Sequence, residues 1–155
     1  MKLTIWAIGK TNEKYLKEGI EKYIERLKHY TKFEFVELKD VKSGNTIEET
    51  TKREADLIMT KLNSDDILIL MDENGEMYDS INFSRYLDKL QLHVSRNVVI
   101  LIGGAYGHHK IIRERANHVI SLSKMTFSHQ MVRLFLVEQI YRAFTIIRNE
   151  KYHNM

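Results

Sequence analysis

The sequence predicts an α/β domain, a mainly parallel sheet flanked by helices. Segments of strand character alternate with segments of helical character along the whole chain, which is the pattern of consecutive β-α units. Two of the strand segments, "DILILM" and "NVVILI", are continuous apolar runs rather than alternating ones, as in strands covered on both faces. The 155 residues suit a single domain, 1–155, large enough to bury a core of its own.

Taken in order, residues 2–8 alternate and are β-rich, and Gly9 closes this first strand. Over residues 12–30, Tyr15, Leu16, Ile20, Tyr23, Ile24 and Leu27 recur at helical spacing among Lys and Glu, predicting an amphipathic helix laid on the sheet. Residues 33–38 are a second strand, and "DVKSGNT" is a polar loop. A charged helix over 48–62 carries Ala55, Ile58, Met59 and Leu62 as its apolar stripe. The strand 66–71 is followed by a turn at Asn74-Gly75 and a helix over 83–92. The strand 97–102 leads through "GGAYGHH" into a helix over 110–116. A last strand, 119–122, and a long closing helix, 131–148, complete the chain.

Composition excludes several function classes. There is no cysteine, which removes disulfides, thiolate metal sites and cysteine nucleophiles and agrees with a reducing cytoplasm. The longest nearly apolar run, residues 98–106, falls well short of the roughly 20 residues that cross a bilayer. The opening "MKLTIWAIGK" lacks a small-residue cleavage site and reads as a strand rather than a signal peptide, so a cytoplasmic, membrane-free protein is expected. The net charge of +3 is unevenly spread: residues 97–155 hold 8 Lys/Arg against 3 Asp/Glu, and five of the seven histidines. A basic C-terminal third suits an anionic partner such as RNA, or is a solvated surface with no partner.

Ligand sites on open parallel sheets form outside the carboxyl ends of the strands, where loops converge. That rule selects the loops 71–76, 103–109 and 123–130. Gly103, Gly104 and Gly107 permit close backbone approach, although their spacing is not that of a dinucleotide fingerprint and a plain tight turn explains them as well. His108 and His109 are adjacent and would diverge on a helix, with neither Cys nor a nearby carboxylate to complete a shell, so no metal site is expected. In "SKMTFSHQ", Met125 and Phe127 offer an apolar wall, Ser123, Thr126 and Ser128 offer polar contacts, and Lys124 offers a charge. Ser128 also suits the N-cap of the closing helix.

On that helix Leu134, Val137, Tyr141, Phe144 and Arg148 repeat at core spacing. Glu138 and Arg142 stand at i, i+4 in the favourable order for a surface ion pair. His129 and Arg133 are also four apart, at the helix start beside the loop, and are expected to face the pocket or a partner subunit. The tail "NEKYHNM" is of a kind that ordinarily frays.

Together, "LIGGAYG", "SLSKMTFSHQMVRLFLVEQIYRAF", the closing "YH" and the opening "MKLTIWAIGK" closely resemble the RlmH family, bacterial methyltransferases of the SPOUT (α/β-knot) superfamily that act on a pseudouridine of 23S ribosomal RNA. The resemblance spans the chain. It implies a C-terminal trefoil knot whose loops bind S-adenosyl-L-methionine in a bent conformation, and a homodimer whose site is completed by the second subunit. Carried over by position, cofactor contacts fall at Met71, Gly103, Leu122, Ser123, Lys124, Met125, Thr126 and Phe127, within or beside the loops that the strand-end rule selects. The family usually reads proline after "TF", where this chain has Ser128, and often a basic residue after the closing Tyr-His, where it has Asn154.

For the reaction implied, methylation of N3 of the pseudouridine, the resemblance puts His129 or His153 near the acceptor. It has Arg142 and Arg133 hold phosphate or a uracil carbonyl, Tyr152 stack on the base, and Arg133 and Lys124 contact RNA on the ribosome. No metal is required. An alternative of another class is a non-catalytic RNA-binding assembly factor that keeps the fold. A nucleotide hydrolase would need a phosphate-gripping loop after the first strand, and "GKTNEK" has too few glycines for one.

Overall fold

The computed structural model describes residues 1–154. Its sheet has five strands, β1 (Lys2–Ile8), β2 (Lys32–Leu38), β3 (Ile67–Met77), β4 (Asn97–Ile102) and β5 (His118–Ser121), in the order β2-β1-β4-β3-β5. Every pairing is parallel. The expected α/β architecture, a parallel sheet flanked by helices, is the one observed.

The two doubly apolar strands occupy adjacent central positions, for the reason their composition implies. Along β3 and β4, Ile69, Met71, Val98, Ile100 and Ile102 face one core, which α1 (Lys14–Leu27), α3 (Ser80–His93) and α5 (His129–Ile147) cover. The alternate residues Leu68, Leu70, Val99 and Leu101 face a second core under α2 (Ile47–Lys61) and α4 (Lys110–Arg115). A strand residue at such a position is removed from water whichever way it points, and each fully buried Leu or Ile contributes about 1.5–3 kcal/mol.

Helix starts differ from the sequence expectation by where the caps fall. α3 begins at Ser80, ahead of the expected 83, because Asp79 accepts a hydrogen bond from the Asn82 backbone N–H at 2.7 Å. α5 likewise begins at His129, capped by Ser128, whose Oγ accepts from Met131 N–H at 3.1 Å. α1 starts at Lys14, after an extended Glu13, and the Asn12 N–H ahead of it is taken by the Gln130 side chain at 2.9 Å.

The larger correction concerns β3. The turn expected at Asn74-Gly75 is a bulge inside a longer strand: the pairing with β5 shifts between Met71 and Glu76, and Glu76 and Met77 then pair with Ile120 and Ser121. Asp72 holds the bulge by accepting from Asn74 N–H at 2.9 Å. Gly75 is required by proximity, since a Cβ there would lie 2.7 Å from the Ile120 backbone. This bulge, with the carboxyl ends of β4 and β5, shapes the region described next.

Candidate active site

The three strand-end loops do converge. They and the start of α5 line an open cleft of about 680 Å³, within the size range of small-molecule sites. The β3 end supplies Met71 and Asp72 to Asn74, the β4 end Gly103 to His108, and the β5 end Leu122, Ser123 and Met125 to His129. Ile47 enters from α2. A second cavity of about 450 Å³ shares Met71, Leu122 and Phe127 with the cleft and runs on between α3 and α5.

Each loop is tied to its neighbour by a specific bond. His108 donates from Nε2 to the Met71 carbonyl at 2.9 Å, joining the glycine loop to β3. Burial holds this imidazole below its usual pKa, with Arg113 adding to the effect and the Met71 and Asp72 contacts opposing it. The glycine loop itself is a tight turn, in which Gly107 N–H donates to Gly104 O at 3.2 Å and Gly107 takes a φ of +78° that suits glycine. Thr126 donates to Glu73 at 2.5 Å, joining the 121–128 loop to the β3 bulge. Arg113 donates to Asp72 at 2.6 Å. Burial would raise the Asp72 carboxyl, but the Asn74 N–H and the Arg113 guanidinium outweigh it and hold the pKa below the usual carboxylate range.

Of the residues expected to contact a cofactor, Met71, Gly103, Leu122, Ser123, Met125, Thr126 and Phe127 all line the cleft. Lys124 does not. Its side chain is exposed, away from the cleft. Met125, 73% exposed, and Phe127, 37% exposed, form an uncovered apolar rim. The histidine pair diverges: His109 points away from His108, donating from Nε2 to Glu48 at 2.7 Å while its Nδ1 accepts from Ile111 N–H and caps α4.

His129 lines the cleft, and its Nδ1 is buried without a hydrogen-bond partner among the described residues. Burial, reinforced by the Arg133 charge and opposed by Asp40, keeps the imidazole below its usual pKa and therefore neutral near pH 7. Arg133 is a correction. Expected to face the pocket and hold RNA, it is 0% exposed and donates to the carbonyls of Ile8 at 2.7 Å and Gly9 at 2.8 Å and to Thr11 Oγ1 at 3.1 Å. Its Nη donors point into the end of β1, and its Nε, buried without a hydrogen-bond partner among the described residues, is closed off from a phosphate as well.

The tail is docked rather than frayed. Tyr152 donates to Glu138 at 3.0 Å, packs edge-on against Tyr141 at 4.8 Å and has the Arg142 guanidinium over its ring at 4.8 Å. Arg142 donates to Glu138 through Nε at 3.1 Å and Nη2 at 2.7 Å, and its Nη1 lies 3.3 Å from His153 Nδ1. The expected surface pair of Glu138 and Arg142 is thus half-buried under the tail. Burial, then hydrogen bonds with Tyr23 and Glu138, push the Tyr152 hydroxyl up from its ordinary pKa. This cluster lies near the far end of α5 from the cleft: Arg142 is thirteen positions along the helix from His129, about 20 Å. One chain does not bring its own cleft and its own tail together.

The family model described as "Predicted SPOUT methyltransferase" matches residues 1–153. The chain belongs to the SPOUT methyltransferase family. Its similarity to individual relatives is equally extended. It is 50% identical over 155 residues to the ribosomal RNA large subunit methyltransferase H of Cytophaga hutchinsonii, covering 99% of this chain and 100% of the relative. It is 44% identical over 156 residues to the enzyme of that name from Parabacteroides distasonis, 99% of each chain, and 42% identical over 154 residues to that from Trichlorobacter lovleyi, 99% and 100%. The resemblance read from the glycine turn, the loop and the closing helix is therefore borne out. In this SPOUT chain the sequence pattern did not single out Asp72, Glu73 or Arg113, and it read Glu138 only as a surface ion-pair partner, although "MDEN" after a buried strand is a recognisable turn signal for the first two. Among the described residues no helix is long and apolar enough to cross a membrane, and no three potential metal-ligating side chains converge.

Proposed function

We propose that this SPOUT methyltransferase moves a methyl group from S-adenosyl-L-methionine to N3 of a pseudouridine in 23S ribosomal RNA, as a homodimer acting on the ribosome. The observation that carries this reading is the single cleft made by all three strand-end loops, in a chain similar throughout to ribosomal RNA methyltransferases. The donor set fits an adenosyl ligand: Gly103 allows backbone approach, Leu122, Met125 and Phe127 offer apolar walls, and the Glu73 carboxylate offers an acceptor to hydroxyl or ammonium groups. The trefoil knot belongs to the same proposal. It is supported by the match to the SPOUT methyltransferase family over residues 1–153.

The bound cofactor supplies an electrophilic methyl on a sulfonium, and transfer is an in-line displacement in which N3 loses its proton. Alignment by the cleft supplies up to about 7–11 kcal/mol of the barrier reduction, and proton transfer a further 10²–10⁴-fold, roughly. His129 accepts the N3 proton, a role supported by its position in the cleft lining and by a lowered pKa that leaves the ring unprotonated. Arg142, Tyr152 and His153 serve the cleft of the other subunit, which the distance of about 20 Å along α5 supports. Arg142 and His153 there hold a uracil carbonyl or phosphate and Tyr152 lies against the base, while exposed Lys124 meets RNA.

Mass spectrometry of 23S ribosomal RNA from cells lacking the protein tests the reaction. One pseudouridine is expected to lack its methyl, and an unchanged modification pattern refutes the assignment. Titration calorimetry with S-adenosyl-L-methionine separates this from a non-catalytic factor, which would show no binding.

A further inference from the structure

Glu138 is absorbed neither by the cleft nor by the roles assigned to the tail, yet its carboxylate organises every functional group there. Oε1 alone accepts three hydrogen bonds, from Arg142 Nε, Arg142 Nη2 and the Tyr152 hydroxyl. Oε2 accepts from Gln139 Nε2 at 3.1 Å, and Gln139 in turn accepts from Ser80 of α3 at 2.8 Å, anchoring the carboxylate to a second helix. The Arg142 fork spent on Glu138 leaves Nη1 directed at His153 Nδ1. A guanidinium has no lone pair to give, so Nδ1 must be the acceptor of that bond and the ring proton must reside on Nε2.

We propose that Glu138 is a positioning residue of the composite site: by fixing the Arg142 guanidinium it holds His153 in the Nε2–H tautomer, so that the tail presents hydrogen-bond donors to the acceptor base and His153 does not act as the general base. This rests on the reading of Arg142, Tyr152 and His153 as the acceptor-side groups. It assigns them a definite chemistry. As N3–H loses its proton, the negative charge that develops on the pyrimidine spreads onto the flanking carbonyl oxygens. The N3 electron pair forms the new N–CH3 bond, and the electrons of the broken C–S bond stay on sulfur. Donors already aimed at those oxygens stabilise that charge without reorganising, which is where preorganised hydrogen bonds act most strongly. An accepting Nε2 at the same place would repel it.

The ring-nitrogen NMR spectrum of His153 in the intact dimer reads the tautomer directly and needs no RNA. The wild-type protein is expected to show a protonated Nε2 and an unprotonated Nδ1, and the Glu138→Gln variant a mixture of both. Glu138→Gln is further expected to lower kcat on ribosomes by about 10²-fold, the scale of a small misplacement, while leaving cofactor affinity and dimerisation unchanged. Among His153 variants, His153→Gln, whose amide can donate from the Nε2 position, is expected to keep more activity than His153→Asn, whose amide nitrogen matches Nδ1. A predominantly Nδ1–H tautomer in the wild type, or a Glu138→Gln protein with unaltered tautomer and turnover, overturns the proposal. Should the wild type carry the Nε2–H tautomer but fail to methylate ribosomes, the functional reading fails and the Glu138 network stands.

Discussion

Arg133 Nη2 donates to the Ile8 carbonyl at 2.7 Å, from the second turn of α5 to the last residue of β1. Nη1 adds Gly9 O and Thr11 Oγ1, and Gln130 bridges the same segment through Lys10 O and Asn12 N–H. The start of the closing helix is therefore clamped to the first strand-end loop. Arg133→Met should cost about 3–5 kcal/mol of stability, because the carbonyls it satisfies stay buried without donors. Arg133→Lys should recover only part, since an ammonium cannot reproduce the fork. Urea midpoints measure this. An unchanged midpoint joined to weakened ribosome binding would restore the RNA-contact role.

The closeness of β3 and β5 at Gly75 allows no side chain, because the nearest atoms are backbone. Gly75→Ala is expected to destabilise the fold by about 1–3 kcal/mol, the cost of overpacking at a site that cannot yield. It should also loosen the bulge that carries Asp72 and Glu73, lowering cofactor affinity in calorimetry. A neutral substitution would show that the two strands are not in contact there.

Ser128 caps α5 with a φ of −60°, the value proline imposes. Ser128→Ala removes the cap on Met131 N–H and should cost about 1 kcal/mol. In Ser128→Pro the same loss is offset by about 0.4–1 kcal/mol from a stiffer unfolded chain. Thermal melts should accordingly rank the proline variant above the alanine one, and the opposite order would disprove the offset.

Two imidazoles at the cleft, His108 and His129, have pKa values held below the ordinary range, chiefly by burial. The folded state therefore binds fewer protons than the unfolded one once the pH drops below the unfolded value of about 6.5. Their contribution is full above that pH and is lost as the pH falls through the lower folded values. Denaturation midpoints should decline on acidification from about pH 6.5, with a shallower decline in His129→Gln. An equally steep decline in that variant would remove His129 from the account.

A cleft and a tail at opposite ends of α5 make a mixing experiment decisive for the dimer. Gly103→Val crowds the cleft, because a Cβ there lies 3.0 Å from His108, and Arg142→Ala empties the tail. Each homodimer should be inactive. Co-expressed together, they should regain activity through heterodimers holding one intact composite site, and no recovery would sink the shared arrangement.

How far the sequence reached can be seen in particular elements. The buried runs "DILILM" and "NVVILI" revealed central strands because double burial leaves an unambiguous local trace. Ser128 was legible as a cap from its place at the head of a periodic segment. The extension of β3 past Gly75 was not, because residues 76 and 77 are strand only by virtue of β5, more than forty positions away. Nor was the burial of Arg133 visible: spacing puts it beside His129, and only the return of β1 to that place turns a cation expected at a pocket into a clamp.

By itself, then, the sequence determined the alternation of elements, the two central strands and the strand-end loops from which a cleft would be made, since each of these is written in neighbouring residues. The tertiary structure decided the strand order, the depth of Arg133, the docking of Tyr152 on Glu138 and the separation of tail from cleft. Those depend on which distant segments meet, and side chains such as Arg and Glu suit either solvent or a buried partner until the chain closes around them.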